Sequence, residues 1–239
     1  MLCLAERVRI RNRGFEILKI IALTDIHSRF SGIDRIAEDL REAEVVLLPG
    51  DLTMFGRRDA AMEVLDAVRR YNEVVYAVMG NCDYPEVEEL LNEEGICLHR
   101  QHVLLNGVAF VGLGGSLACP VPTLNEWTEV QTAEHLGAAI LDLADETPMI
   151  LVSHQPPKDT VVDIAGNGMH VGSSAVREFI EEHQPVVCIS GHIHEAQGTD
   201  AIGNTKLINP GPFMEGKYAW VELEGGTCRV EARRVPDRA

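Results

Sequence analysis

Apolar residues run unbroken through several short stretches of the chain, and between those stretches they recur every three or four positions. Residues 15–24 (FEILKIIALT) are apolar and β-branched and predict a strand. Val45–Leu48 and Val74–Met79 are continuous apolar runs of the kind found in strands buried on both faces. Ile33, Ile36, Ala37 and Leu40 share one face of a helix starting near Ser31, and Ala61, Val64, Leu65 and Val68 share one face of a second helix over 57–70. Strand and helix therefore alternate over residues 15–80, which predicts right-handed βαβ units and a largely parallel sheet.

The pattern changes further on. Residues 85–94 (PEVEELLNEE) predict a short acidic helix with Pro85 at its start, its glutamates a solvated face. Two strand-like runs within 96–113 flank Asn106-Gly107, a type I′ hairpin signal. Residues 115–127 read as an irregular loop. A helix is expected near 130–144, a strand at Met149–Val152, a helix capped by Ser173 or Ser174, and a buried strand at Val186–Ile189. From about Gln197 the chain reads as antiparallel strands broken at Gly203-Asn204 and Gly225-Gly226. No repeat or linker interrupts this order, so one α/β domain over 1–239 is expected. Arg7, Arg9, Arg11 and Arg13 alternate within residues 1–14, which suits an N-terminal edge strand whose charges discourage pairing.

Composition narrows the partners. The formal net charge is −16. Such a field repels a long nucleic acid and an anionic membrane surface. Glu6 and Arg7 interrupt the N-terminal apolar residues, and no stretch approaches the ~18 apolar residues that a membrane span needs. Cys3, Cys82, Cys97, Cys119, Cys188 and Cys228 are scattered with no C-x-x-C pair, so a reduced, cytoplasmic setting is expected.

The candidate chemistry lies just past the end of each buried strand. The successive ends carry Asp25-Ile26-His27, Gly50-Asp51, Gly80-Asn81-Cys82-Asp83, Ser153-His154 and Gly191-His192-Ile193-His194. Ligands of open α/β sheets bind beyond the carboxyl ends of the strands. Gly-Asp or Gly-Asn alone is an ordinary turn dipeptide. Five coincident ends rich in Asp and His instead point to a metal or catalytic site. Imidazole with carboxylate suits Mn²⁺, Fe, Zn²⁺, Co²⁺ or Ni²⁺. In an extended segment Asp-x-His and His-x-His place both side chains on one side, so each pair would grip a common site. Asp51 has two oxygens to offer two metals, and metals ~3.5–4 Å apart clamp an in-line displacement at phosphorus in which a bridging hydroxide attacks.

The ordered series Asp25-x-His27, Gly50-Asp51, Gly80-Asn81-x-Asp83, His154 and Gly191-His192-x-His194 resembles the calcineurin-like metallophosphoesterase superfamily over residues 25–194, as does the Asn209-Pro210-Gly211 turn. The resemblance implies a four-layer αββα sandwich, with two mixed β-sheets flanked by helices and a dinuclear site at the strand ends. It implies one divalent metal on Asp25, His27 and His194 and another on Asn81, His154 and His192, bridged by Asp51, with Mn²⁺ the first choice. It also implies hydrolysis of a small phosphoester.

Where many members carry Gly-Asn-His-Asp, Cys82 stands in place of the His. A thiol with pKa about 8.5 is a weak donor that does not replace an imidazolium. Gly-Asn-Cys-Asp is found in small bacterial and archaeal phosphodiesterases of the family, so a diester preference is expected. Asp51, Asn81, Cys82 and Asp83 form the expected catalytic group, with Asp83 hydrogen-bonding a neighbour of the metals. Arg29 and His170 are the expected substrate contacts, His170 because its loop precedes a helix start. His99, His102, His135 and His183 are expected on strand or helix surfaces, without function. A phosphomonoesterase, a nuclease and a non-catalytic scaffold of the same fold are the alternatives.

Overall fold

The computed structural model describes residues 17–237. The edge strand expected over 1–14 lies outside them. Two sheets stack face to face, with helices on both outer faces, giving the four-layer αββα sandwich. In the first sheet, β1 (Leu18–Ala22), β2 (Val45–Pro49) and β3 (Val75–Val78) run parallel. The second sheet begins with the hairpin β4 (His102–Leu105) and β5 (Val108–Leu113). Asn106 and Gly107 there have φ of 52° and 81°, as the type I′ turn requires. Two short strands come next, β6 (Ser116–Leu117) and β7 (Glu126–Trp127), and then β8 (Met149–Ser153), β9 (Val187–Ser190), β10 (Gly198–Ile202) and β11 (Thr205–Asn209). β5, β8, β9 and β11 are parallel neighbours, with β4 and β10 as antiparallel edges. The chain then returns to the first sheet as β12 (Lys217–Glu224) and β13 (Thr227–Arg234), giving the order β13-β12-β1-β2-β3.

The unbroken apolar runs are explained by three core layers. In β1, Ile20 and Ala22 face the second sheet while Ile21 faces helices α1 (Ala37–Glu42), α2 (Arg58–Arg69) and α3 (Pro85–Glu93). Val45 and Leu47 of β2 point inward, and Val46 and Leu48 outward. Ile150 and Val152 of β8 meet the first sheet, while Met149 and Leu151 pack under α4 (Glu129–Ala139) and α5 (Ser174–His183). A strand buried on both sides has no polar face, so its alternation vanishes.

Four expectations shift. The helix from Ser31 opens as a 3₁₀ turn over Ile33–Ile36, and neither Gly32 nor Ile36 supplies a side-chain cap. The helix expected over 130–144 starts at Glu129, capped by the Thr128–Gln131 capping box, and stops at Ala139, with Gly137 in its last turn. Residues 115–127 are not irregular throughout, because β6 and β7 pair in parallel within them. Glu126 orders that segment by accepting hydrogen bonds from the backbone of Cys119 and Thr123 and from the Thr123 hydroxyl. His99 is not a surface residue. It is buried, accepts at Nδ1 from the Gly114 N–H (2.9 Å) and stacks on Trp127, with His135 edge-on to both rings. Burial, with the charges of Arg100 and His135, pushes His99 down to about 3, so it is a neutral packing residue.

Candidate metal centre

The loops after β1, β2 and β3 in one sheet and after β8 and β9 in the other converge on one crevice. They bring together Asp25, His27, Asp51, Asn81, Cys82, His154, His192 and His194. Ligand atoms of Asp25, His27 and His194 lie within 4.8 Å of one another, as do those of Asp25, Asp51 and His154 and those of His27, Asp51 and Cys82. Asp51 Oδ2 is 3.6 Å from His27 Nε2, and its Oδ1 is 3.6 Å from His154 Nε2. The two oxygens of Asp51 therefore address two different groups. His194 Nε2 lies 3.4 Å from His27 Nε2 and 3.3 Å from Asp25 Oδ1. His154 Nε2 lies 2.9 Å from Asn81 Oδ1, with the His192 ring 5.1 Å from that of His154.

Convergence does not come from extended geometry. Asp25, His27, Asp51 and His192 have φ of 52°, 48°, 50° and 64°, in the left-handed region. Each such residue costs about 1–3 kcal/mol, comparable with one buried core side chain, so the packed sheets carry the strain. The His192-x-His194 pair also does not grip one site. His192 faces His154 while His194 faces His27, because the left-handed turn at His192 ends the extended geometry that would align them.

Glycine precedes three of these residues because atoms of another ligand loop occupy the space of a Cβ there. Gly50 has φ of 91° and its Cβ position is filled by the His154 ring. A Cβ on Gly80 would overlap the Asp51 carboxylate, and one on Gly191 would overlap Thr24 and Asp25. Gly80→Ala should accordingly weaken Mn²⁺ binding by about 10–100-fold while the chain stays folded, as judged by calorimetric titration beside circular dichroism.

The electrostatics fit a cation. His154 Nδ1–H donates to the Pro49 carbonyl (2.8 Å), which leaves its Nε2 lone pair facing Asn81 Oδ1 and Asp51. His27 Nδ1–H donates to the Thr53 carbonyl (3.3 Å), so its Nε2 lone pair faces Asp51 and His194. Acceptors thus confront acceptors on both sides of Asp51, an arrangement a bound cation relieves. Burial pushes Asp51 up to about 7, opposed by His154 and reinforced by the charges of Asp83 and Asp25. Asp25 is buried too, yet His194, His154 and the Thr24 hydroxyl hold it well below the usual carboxylate range. Burial, with His154 beside it, brings His192 down to about 3, so its imidazole is neutral and able to ligate. Burial and then Asp51 push the Cys82 thiol far up, so it stays protonated, while its backbone N–H donates to Asp51 Oδ1 (2.8 Å).

The remaining expected residues are placed otherwise. Asp83 is turned away from the ligand atoms. Its Oδ1 accepts from the Thr53 N–H (2.8 Å) and hydroxyl (2.7 Å), and its Oδ2 from the Gly80 N–H (2.8 Å) and Leu52 N–H (3.2 Å). It clamps the Asp51 loop to the Asn81 loop and is a positioning residue rather than a catalytic one. Arg29 is exposed two residues past His27, and its side chain makes no hydrogen bond or ion pair among the described residues. His170 is held by Asp163 (2.7 Å), and no hydrogen bond among the described residues ties it to the ligand set.

Other residues support the loops, and of these only the Asn209-Pro210-Gly211 turn carries a sequence signal. Asn209 Nδ2 donates to the carbonyls of Gly191 (3.3 Å) and Ile193 (2.9 Å), so the Asn-Pro-Gly turn braces the two-histidine loop. Asn125 Nδ2 donates to the carbonyls of Gly80 and Asp83, and Thr24 donates to Asp25 (2.8 Å). Cys119 Sγ lies 3.8 Å from His192 Nε2.

The family model for calcineurin-like phosphoesterases matches residues 18–196. Protein MJ1162 of Methanocaldococcus jannaschii is 37% identical over 199 residues, covering 82% of this chain and 88% of that protein. Protein TT1561 of Thermus thermophilus superposes with a TM-score of 0.72 at 18% identity, over 92% of this chain and 100% of that one. The phosphopantetheinyl hydrolase of Mycobacterium tuberculosis superposes with a TM-score of 0.58 at 16% identity, over 81% and 88%.

Proposed function

Because this chain belongs to the calcineurin-like phosphoesterase family, we propose that it hydrolyses small phosphodiesters at a centre of two divalent cations. The observation that carries this reading is the Asp51 carboxylate, with one oxygen toward His27 and the other toward His154. Asp51 would bridge a site of Asp25, His27 and His194 and a site of Asn81, His154 and His192. Mn²⁺ is the first choice, and Fe, Zn²⁺, Ni²⁺ or Co²⁺ suit the same donors. When bound, such a pair supplies positive charge at the phosphoryl oxygens and lowers the pKa of water in the crevice.

The chain's own residues set the rest. The Pro49 and Thr53 carbonyls fix the tautomers of His154 and His27, presenting Nε2. In this reading Asn81 and Cys82 would meet the ester, and the exposed Arg29, two residues past His27, would contribute a phosphoryl contact. A protonated thiol at Cys82 gives no positive charge, and a diester carries one negative charge where a monoester carries up to two, so the site favours the diester. The net charge of −16 favours a small substrate over a long nucleic acid. No helix of the described residues is long and apolar enough to cross a membrane, and the described cysteines are free. We place the protein in the cytoplasm.

Turnover of bis-p-nitrophenyl phosphate should exceed that of p-nitrophenyl phosphate across Mn²⁺, Ni²⁺, Zn²⁺ and Mg²⁺, and Cys82→His should raise monoester turnover by roughly tenfold or more. Monoester turnover equal to that of the diester in the wild type would overturn the diester preference.

A further inference from the structure

Phe55 has φ of 53°, a left-handed backbone that a bulky side chain rarely adopts. It is nevertheless 49% exposed, so core packing does not account for its ring. Its loop is pinned beside the metal centre. Phe55 N–H donates to the Cys82 carbonyl (3.1 Å), and Thr53, two residues earlier, bonds His27 through its carbonyl and Asp83 through its hydroxyl. Gly56 N–H closes the turn on Thr53 Oγ1 (3.1 Å). Segments carrying exposed apolar side chains hydrogen-bond to the backbone of both Asn81 and Cys82. Met54 adjoins Phe55 in sequence, and Leu124 donates its N–H to the Asn81 carbonyl (2.9 Å). A strained backbone that holds an exposed ring at a functional site points to a role for that ring.

We propose that Phe55 is the stacking surface for a planar ring carried by the ester. The substrate class then narrows to aryl or nucleoside phosphodiesters, with the anionic phosphate on the metal centre and the ring against the Phe55 face. Aromatic pairs gain most in offset or edge-to-face geometry, and an exposed phenyl beside a polar crevice offers both. This inference rests on the phosphoesterase reading and deepens it.

The test uses Mn²⁺-loaded protein and the variants Phe55→Ala, Phe55→Leu and Phe55→Trp. For bis-p-nitrophenyl phosphate, KM should rise by about tenfold in Phe55→Ala and Phe55→Leu, with the loss on KM rather than kcat, and Phe55→Trp should stay near the wild type. In calorimetric titrations phenylphosphonate should lose about tenfold in affinity on Phe55→Ala while methylphosphonate does not change. Adenosine monophosphate beside ribose 5-phosphate separates a nucleobase from a simple aryl group as the source of the ring. Phe55→Gly should be at least as thermally stable as the wild type, because glycine accepts the positive φ. Equal shifts for ring-bearing and ring-free ligands would overturn the proposal. A wild-type holoprotein that hydrolyses no phosphoester would overturn the phosphoesterase reading, and the phosphonate pair would still read the ring.

Discussion

Asp51→Asn should abolish metal-stimulated phosphoester hydrolysis, lowering turnover by roughly 10³-fold or more, since metal charge at the phosphoryl group is worth several kcal/mol. The amide has one oxygen where the carboxylate has two, so the His27 side and the His154 side cannot both be served. The fold should survive. The side chain is nearly isosteric, and it removes a buried carboxylate that burial and the neighbouring Asp83 and Asp25 disfavour. Thermal unfolding of the metal-free variant is the control, with a midpoint no lower than that of metal-free wild type.

Asp83→Ala acts on the scaffold first. It strips acceptors from four donors at once, namely the Leu52, Thr53 and Gly80 N–H groups and the Thr53 hydroxyl, all within buried loops. The cost should be about 3–4 kcal/mol, since each unpaired buried donor costs about 1–3 kcal/mol before relaxation and water entry. For a chain of this length that lowers the melting temperature by roughly 10 °C. Asp83→Asn should not restore stability, because its NH₂ group must face either the Gly80 and Leu52 donors or those of Thr53. Metal affinity should fall with stability, as the clamp between the Asp51 and Asn81 loops is lost. Melting temperatures and Mn²⁺ titrations of the two variants check both points. Wild-type stability in Asp83→Ala would show that the clamp does not hold the loops.

Much of the sandwich is legible in the chain because its parallel strands are buried on both faces. Val45–Leu48 and Met149–Val152 read as unbroken apolar runs for that reason, and each run stops where a ligand begins. What the pattern does not carry is backbone hand. Asp25, His27, Asp51 and His192 take left-handed conformations that no local propensity demands, in loops that close on one another across the two sheets at Gly50 and Gly191 and within the first sheet at Gly80. The separation of His192 from His194 therefore lies beyond any two-residue periodicity. Residues 115–127 are likewise ordered by particular hydrogen-bond partners, Cys119 and Thr123 for Glu126 within the segment and the remote Gly80 and Asp83 for Asn125, which no periodicity announces. His99 looks like a polar surface residue in sequence, and it is buried because Gly114 and Trp127 meet it from other parts of the chain.

The central claim is a two-cation centre bridged by Asp51 that drives phosphodiester hydrolysis. Chelator-treated protein titrated with Mn²⁺, with bis-p-nitrophenyl phosphate hydrolysis monitored at each addition, tests it most directly. The rate should start near zero and saturate at about two equivalents per chain, with no activation in Asp51→Asn. Full hydrolysis after chelation, or saturation at one equivalent, would contradict it.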